Sequence, residues 1–379
     1  MSSSPPAASS RPAADEIAAL LEPIVRQRFP GIADARIANW RATDRGLSTE
    51  TFLFDLQKEG DDGPTTVEQL VFRRPPANSL YPDYDLTRQV MVMNRLRDTP
   101  ITVPTVCWLD RDDKDLGTPY YVMEQLPTIG TASDFPSYHS QGLYFDANPG
   151  QRETMWWGCV QAIADVHALD WRTLRLNKLL MPQRGARPLE QVVKYCDELL
   201  TWGSPNSKRH ELVDAVKWLR DNIYEPEHLV LCWGDSRLSN ILYGQEFEVT
   251  AVLDWELAYI GDHEADLAWL LFVDWACSEY EGVPRLDGTP SRDETIDRYE
   301  QLSGRAVRNL RYNEVLAAVA LGIPVSRLET RLRSEGLLTG DFDLAGFCVE
   351  PDFYQTSVQA VRGSWRGLRR GRAVGARRR

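Results

Sequence analysis

Between residues 229 and 243 the chain reads LVLCWGDSRLSNILY. Two short apolar runs, Leu229 to Trp233 and Ile241 to Tyr243, flank a loop carrying Asp235 and, five positions on, Asn240. Asp and Asn suit turns and interrupt strands, so one strand ends near Gly234 and another begins after Asn240. The second run continues as ILYGQEFEVTAVLD, which reads as a hairpin about Gly244 ending in Asp254. Two carboxylates are therefore expected at strand ends, joined through one hairpin. A lone DxxxxN spacing is only a polar loop. With the strands, the hairpin and Asp254 around it, the spacing predicts a catalytic loop.

Phosphoryl transfer from a nucleotide needs few parts. A carboxylate must orient and deprotonate the acceptor hydroxyl, and oxygen ligands must hold Mg²⁺. A cation must sit on the phosphates beneath a covering loop. Asp235 suits the base, and Asn240 and Asp254 suit the metal ligands.

The rest of the chain divides in two. Residues 36 to 126 read as five strands, with one helix after the third, marked by Leu86, Val90, Met93 and Leu96 at helical spacing. From about residue 148 the pattern is helical. Asn148 and Pro149 open one helix; a Ser291/Glu294 capping box and Gly304 bound another. The expected organisation is a lead-in over residues 1–13, a small lobe over 14–127, a helical lobe over 128–361 and an Arg-rich tail over 362–379. The stretch 128–150 is a long connection or a substrate lid, with Tyr138, Tyr144 and Phe145 as its aromatic residues.

Composition narrows the function. Residues 362–379 hold eight arginines and no acid, leaving the rest of the chain at −20 against −12 for the whole. So acidic a body argues against nucleic acid as the main partner, though the tail could touch an anionic surface. No apolar run approaches the roughly 18 residues that span a membrane. The six cysteines form no CxxC pair and read as reduced, buried thiols of a cytoplasmic protein. The five histidines lack ligand spacing, which disfavours a zinc hydrolase.

WGDSRLSN followed by VLDWELAYIGDHEADLAWLL resembles the signature of the aminoglycoside phosphotransferase-like (choline-kinase-like) family, nearest the branch found fused to acyl-CoA dehydrogenases. RGLSTETFLF, LVFRRPP and PYYVMEQL extend the likeness upstream. The resemblance implies an α+β, two-lobe protein-kinase-like fold, with a small five-stranded lobe and a larger, mainly helical one. It implies ATP (or GTP) and Mg²⁺ as cofactors and a small-molecule hydroxyl as acceptor, aminoglycoside-type or hydroxyacyl-type. Asp235 would be the base, and Asn240 and Asp254 the Mg²⁺ ligands. Arg73 would bind phosphate, under a loop of Gly46, Ser48 and Thr49. Glu124 to Leu126 would present backbone groups to the base of the nucleotide.

Three positions depart from the family pattern. Trp233 replaces the usual His before Gly-Asp. Gln89 stands where a Glu usually faces the strand cation; it could bond Arg73 without charge, or Asp85, one turn earlier, could substitute. Arg73 is a fixed fork where Lys is common. Glu256 is expected near the metal or paired with an arginine, Asp262 and Asp266 as a helix cap and a loop brace, and His167 as a core residue. The alternative to an active kinase is a catalytically impaired nucleotide-binding or interaction protein of the same fold.

Overall fold

The structure, a computed structural model, describes residues 12–28, 32–43, 49–60, 66–82, 84–112, 114–134, 136–203, 210–339 and 343–348. The Arg-rich tail and the lead-in to residue 11 lie outside them. The small lobe holds α1 (Ala14–Arg28), β1 (Ile32–Ala42), β2 (Glu50–Gly60), β3 (Thr66–Arg74), α2 (Leu86–Leu96), β4 (Val106–Asp110) and β5 (Tyr120–Glu124). The strands form one antiparallel sheet in the order β1-β2-β3-β5-β4.

Alternation along β3 sends successive side chains to opposite faces. Phe72 packs on one face with Phe52, Phe54 and the α1 residues Ile17, Leu21 and Val25. Val71 packs on the other with the α2 residues Leu86, Val90, Met93 and Leu96, continuous with the core of the large lobe. Arg73 follows Val71 toward that inner face. Arg74 follows Phe72 and bonds Glu50 at 2.7 Å. No element is expected from the sequence over residues 14–35, yet the i, i+4, i+8 spacing of Ile17, Leu21 and Val25 is the signal of α1.

The large lobe comprises α3 (Leu143–Asp146), α4 (Pro149–Ala168), α5 (Pro188–Gly203), α6 (His210–Asp221), β6 (Leu229–Cys232), β7 (Ile241–Tyr243), β8 (Val249–Val252), β9 (Tyr259–Asp262), α7 (Ala265–Trp275), α8 (Arg292–Ser303) and α9 (Leu310–Ser334). Capping boxes start α4 at Asn148 and α8 at Ser291, and Gly304 closes α8 in the left-handed conformation. The β7–β8 hairpin forms about Gly244, and β6 pairs with β9, a strand the sequence reading does not separate. The segment 128–150 is packed down. Tyr138 and Tyr144 are buried, bonding Asp274 and Thr289, while Phe145 is exposed. Among the described residues no helix is long and apolar enough to cross a membrane. The six cysteines are free, and Cys107, against expectation, is exposed because it lies on the sheet-edge strand β4.

Candidate active site

The loop after β6 turns on a glycine. Gly234 has φ 92°, and a Cβ there would lie 2.3 Å from the Leu257 carbonyl oxygen. Only glycine fits that approach. In the first turn of α7, Asp266 accepts the backbone N–H groups of Trp233 (2.7 Å) and Gly234 (2.8 Å). Behind it stands His167, with Nε2 2.9 Å from Asp266 and Nδ1 2.7 Å from the Tyr299 hydroxyl. Burial pushes the His167 pKa down, while Asp266 beside it pulls it up. Asp266 is thus the brace. Asp262 is not the cap of α7, which Glu264 starts. Its carboxylate is held instead by His263 (2.9 Å), Asn313 (3.0 Å) and Tyr224.

Trp233 is fully buried. Its indole N–H donates to the Leu253 carbonyl at 2.7 Å, one residue before Asp254. The large ring therefore clamps the end of the β7–β8 hairpin to the loop after β6. Sequence marks Trp233 as a departure but gives no hint of this bond.

Asp235 is 5% exposed. Its Oδ2 accepts from Asn240 Nδ2 at 2.8 Å and from Arg237 at 2.9 Å, while Oδ1 is buried without a hydrogen-bond partner. Asn240 Nδ2 also donates to the Asp235 carbonyl at 2.9 Å, so its amide nitrogen serves the loop and its oxygen is left for a ligand. Burial raises the Asp235 pKa to about 6; Arg237 pulls it down and the neighbouring Asp254 and Asp134 push it up. Arg237 is a site residue that sequence reasoning misses. It joins Asp235 to Asp134 (3.0 Å), 103 positions earlier in the 128–150 segment. Its only signal was its place inside the quoted loop.

Asp254 has φ 61°, in the left-handed region that non-glycine residues seldom occupy. Its Oδ1 lies 3.6 Å from the Arg73 guanidinium and has no hydrogen-bond partner. Arg73 donates to Thr49 Oγ1 (2.7 Å) and to the Tyr121 hydroxyl (3.2 Å), with Nε buried and unpartnered. Gln89 does not reach Arg73. Its Oε1 accepts from Tyr121 at 3.2 Å, so the connection runs through a tyrosine. Nor does Asp85 substitute: it caps α2, accepting the N–H groups of Thr87 and Arg88. Glu256 accepts from the Tyr84 hydroxyl at 2.6 Å. Of the expected phosphate loop, Thr49 is in place beside Arg73, whereas Gly46 and Ser48 lie outside the described residues. The Glu124 N–H is bonded to the Thr105 carbonyl, so Glu124 can offer a nucleotide base only its own carbonyl; Leu126 follows, half-buried.

The donor set suits a hard divalent cation. The unpartnered carboxylate oxygen of Asp254 and the Asn240 amide oxygen are the ligand types Mg²⁺ takes, and the unpartnered oxygen of Asp235 lies beside them for a hydroxyl proton. A second grouping, His167 with Cys232 and Asp266, brings mixed donors together in the core. There His167 and Asp266 are already bonded to each other and to the loop.

Residues 39–302 match the model of the APH family, a phosphotransferase enzyme family. Acyl-CoA dehydrogenase family member 10 of Mus musculus is 30% identical over 254 residues, covering 66% of this chain and 22% of that protein. Acyl-CoA dehydrogenase family member 11 of Homo sapiens is 29% identical over 313 residues, 75% of this chain and 35% of that one. The chain thus spans about a third or less of these relatives. Among solved structures, a Ralstonia eutropha protein assigned as an aminoglycoside phosphotransferase superposes with a TM-score of 0.60 at 20% identity, covering 89% of this chain and 94% of that one. A thermostable variant of aminoglycoside phosphotransferase APH(4)-Ia, in ternary complex with AMP-PNP and hygromycin B, superposes at 0.56 with 14% identity, covering 90% and 99%. These likenesses establish a kinase-like fold, and the match over 39–302 establishes descent: this chain belongs to the APH phosphotransferase enzyme family.

Proposed function

We propose that the protein transfers the γ-phosphate of ATP, as its Mg²⁺ complex, to a hydroxyl of a small molecule. One observation carries this reading: a carboxylate oxygen of Asp235, one of Asp254 and Nε of Arg73 are all buried in one cleft without hydrogen-bond partners. Buried polar groups left unpaired cost about 1–3 kcal/mol each, more when charged, and such a set is retained where ligands satisfy it. Mg²⁺ bound by Asp254 and Asn240 would supply charge neutralisation on the phosphates. Arg73 holds phosphate oxygens from the opposite lobe. Asp235 orients the acceptor hydroxyl and takes its proton, and Arg237 keeps that carboxylate in the ionised form.

The acceptor enters a partly enclosed cavity walled by Tyr81, Met181, Leu199, Trp269 and Leu316, which reaches the loop at Gly234, next to Asp235, and the hairpin side at Glu256. Its cation is Arg88, whose Nε has no partner. Its acids are already bonded, Glu256 by Tyr84 and Asp266 by the loop. An aminoglycoside carries several ammonium groups that need free carboxylates. An apolar wall with one arginine suits an uncharged or anionic chain, so a hydroxyacyl-type acceptor is favoured.

The test is thermal unfolding with ATP, with and without Mg²⁺, on wild type and Asp254→Ala. At about 100 times the dissociation constant the nucleotide adds roughly 2.7 kcal/mol, a shift of several degrees. A Mg²⁺-dependent shift that Asp254→Ala abolishes is expected. No shift with saturating ATP or GTP would refute the nucleotide site.

A further inference from the structure

In this cleft the strand cation is not held by a charged partner on the helix. Gln89 is neutral and reaches only Tyr121, and Asp85 is spent on the α2 cap. Among the described residues the one carboxylate within 4 Å of Arg73 is Asp254, at 3.6 Å. As a metal ligand that carboxylate must turn to Mg²⁺, and Arg73 then needs another anchor.

The hydrogen bonds supply one. Arg73 donates to Thr49 Oγ1 at 2.7 Å. Thr49 Oγ1 is bonded to the Tyr84 hydroxyl. Tyr84 donates to Glu256 at 2.6 Å. The direction of each bond is fixed by chemistry. Guanidinium only donates and carboxylate only accepts, and each hydroxyl has one proton. Tyr84 spends its proton on Glu256, so Thr49 donates to Tyr84. The chain is polarised from cation to anion through two hydroxyls, an arrangement in which each bond strengthens the next. It starts on β3, passes through Thr49 just before β2 and Tyr84 just before α2, and ends two residues after Asp254 in the other lobe.

We propose that Tyr84 is the positioning residue for Arg73, doing through Thr49 and Glu256 what a helix carboxylate would do by direct ion pairing. It sets the separation of Arg73 from the Asp254 side of the cleft and orders Thr49, a residue of the expected phosphate loop. The inference rests on the nucleotide reading above. It adds that Arg73 is tied to the large lobe through two neutral hydroxyls ending on Glu256, beside its 3.6 Å approach to Asp254. Burial and the Glu256 charge push the Tyr84 phenol well above its ordinary range, so the proton the chain needs stays on.

The experiment measures Mg²⁺–AMP-PNP affinity by calorimetry on the full chain, with the melting temperature of each free protein alongside. Tyr84→Phe keeps the ring and removes the link. It is expected to weaken binding about ten-fold, the order of a hydrogen bond to charged groups, while the melting temperature barely moves. Adding Gln89→Glu to that variant brings a negative charge to the Tyr121 side of Arg73 and is expected to recover most of the loss. Tyr84→Phe binding like wild type overturns the inference and leaves the phosphotransferase reading standing. A loss that Gln89→Glu does not recover marks Tyr84 as packing and also overturns it. Wild type that does not bind Mg²⁺–AMP-PNP overturns both. Should Tyr84→Phe fail to fold, Thr49→Val breaks the same chain one link earlier and is read by the same criteria.

Discussion

Replacing Trp233 by Phe tests whether the indole is a clamp or only a filler. The ring is fully buried, and its N–H donates to the Leu253 carbonyl at 2.7 Å. Phe retains the packing of one ring and loses the bond. The bond is worth about 1 kcal/mol, and stranding the carbonyl raises the cost toward 2. The smaller ring leaves a void beside Trp255, whose centroid lies 6.1 Å away. Removing a whole aromatic side chain costs about 3–5 kcal/mol, so losing part of one adds about 1. The total is roughly 2–3 kcal/mol, readable as a lower urea midpoint with an unchanged slope by far-UV circular dichroism. The clamp has a second consequence that a filler lacks. Leu253 precedes Asp254, whose backbone lies in the left-handed region, and Leu253 is held by Trp233 at its carbonyl and by Asn240 at its N–H. Freeing that peptide should weaken Mg²⁺-dependent nucleotide binding several-fold beyond any loss in stability. A variant that unfolds at the wild-type urea concentration and keeps the full Mg²⁺-dependent shift would refute both steps.

Two further outcomes follow from the proposed role of Asp235 as base. Asp235→Asn is expected to lower kcat by about 10²–10⁴ while nucleotide binding persists, measured by phosphoproduct formation beside calorimetry. The pH dependence has two signs. With the Asp235 pKa raised to about 6, kcat/KM should fall about ten-fold per unit below pH 6 and level off above it. For stability, the folded pKa lies above the unfolded value, so the contribution of Asp235 is full below about pH 4 and lost as pH rises through 6. The free protein should lose up to about 3 kcal/mol over that interval, and Asp235→Asn should flatten the profile in urea titrations.

What was legible in the sequence was whatever is local. The DxxxxN loop, the hairpin to Asp254, the Asn148 and Ser291 caps and the apolar spacing of α2 each occupy a short window, and each forms as its window predicts. The alternation Val71-Phe72-Arg73-Arg74 puts Arg73 with Val71 and Arg74 with Phe72 because a strand has a period of two, and only the packing shows that the Val71 face is the inner one. Helix α1 went unread although its apolar spacing was present, because the Pro- and Ala-rich lead-in beside it reads as unstructured. The strand β9 went unread because four residues carry too little pattern to separate from the helix that follows.

The remainder is long-range, and it accounts for the three departures. Tyr84 meets Glu256 172 positions away, Arg237 meets Asp134 103 positions away, and Trp233 meets a backbone carbonyl that no side-chain pattern encodes. Read as substitutions, Gln89 and Trp233 look like losses: one removes a charge and the other an imidazole. Read as geometry, each function has moved. The anchor of Arg73 passes from a helix carboxylate to a hydroxyl chain, and the loop brace passes to an indole with His167 and Asp266 behind it. Arg73 being a fork matters here, because one nitrogen donates to Thr49 and another to Tyr121 while Nε still awaits a partner. A lysine ammonium at the same place is a single point charge and could not span both oxygens with one planar group. The departures at Arg73 and Gln89 therefore meet in one bonded network through Tyr121, and replacing Arg73 alone with Lys should cost more nucleotide affinity than the usual equivalence of the two cations suggests.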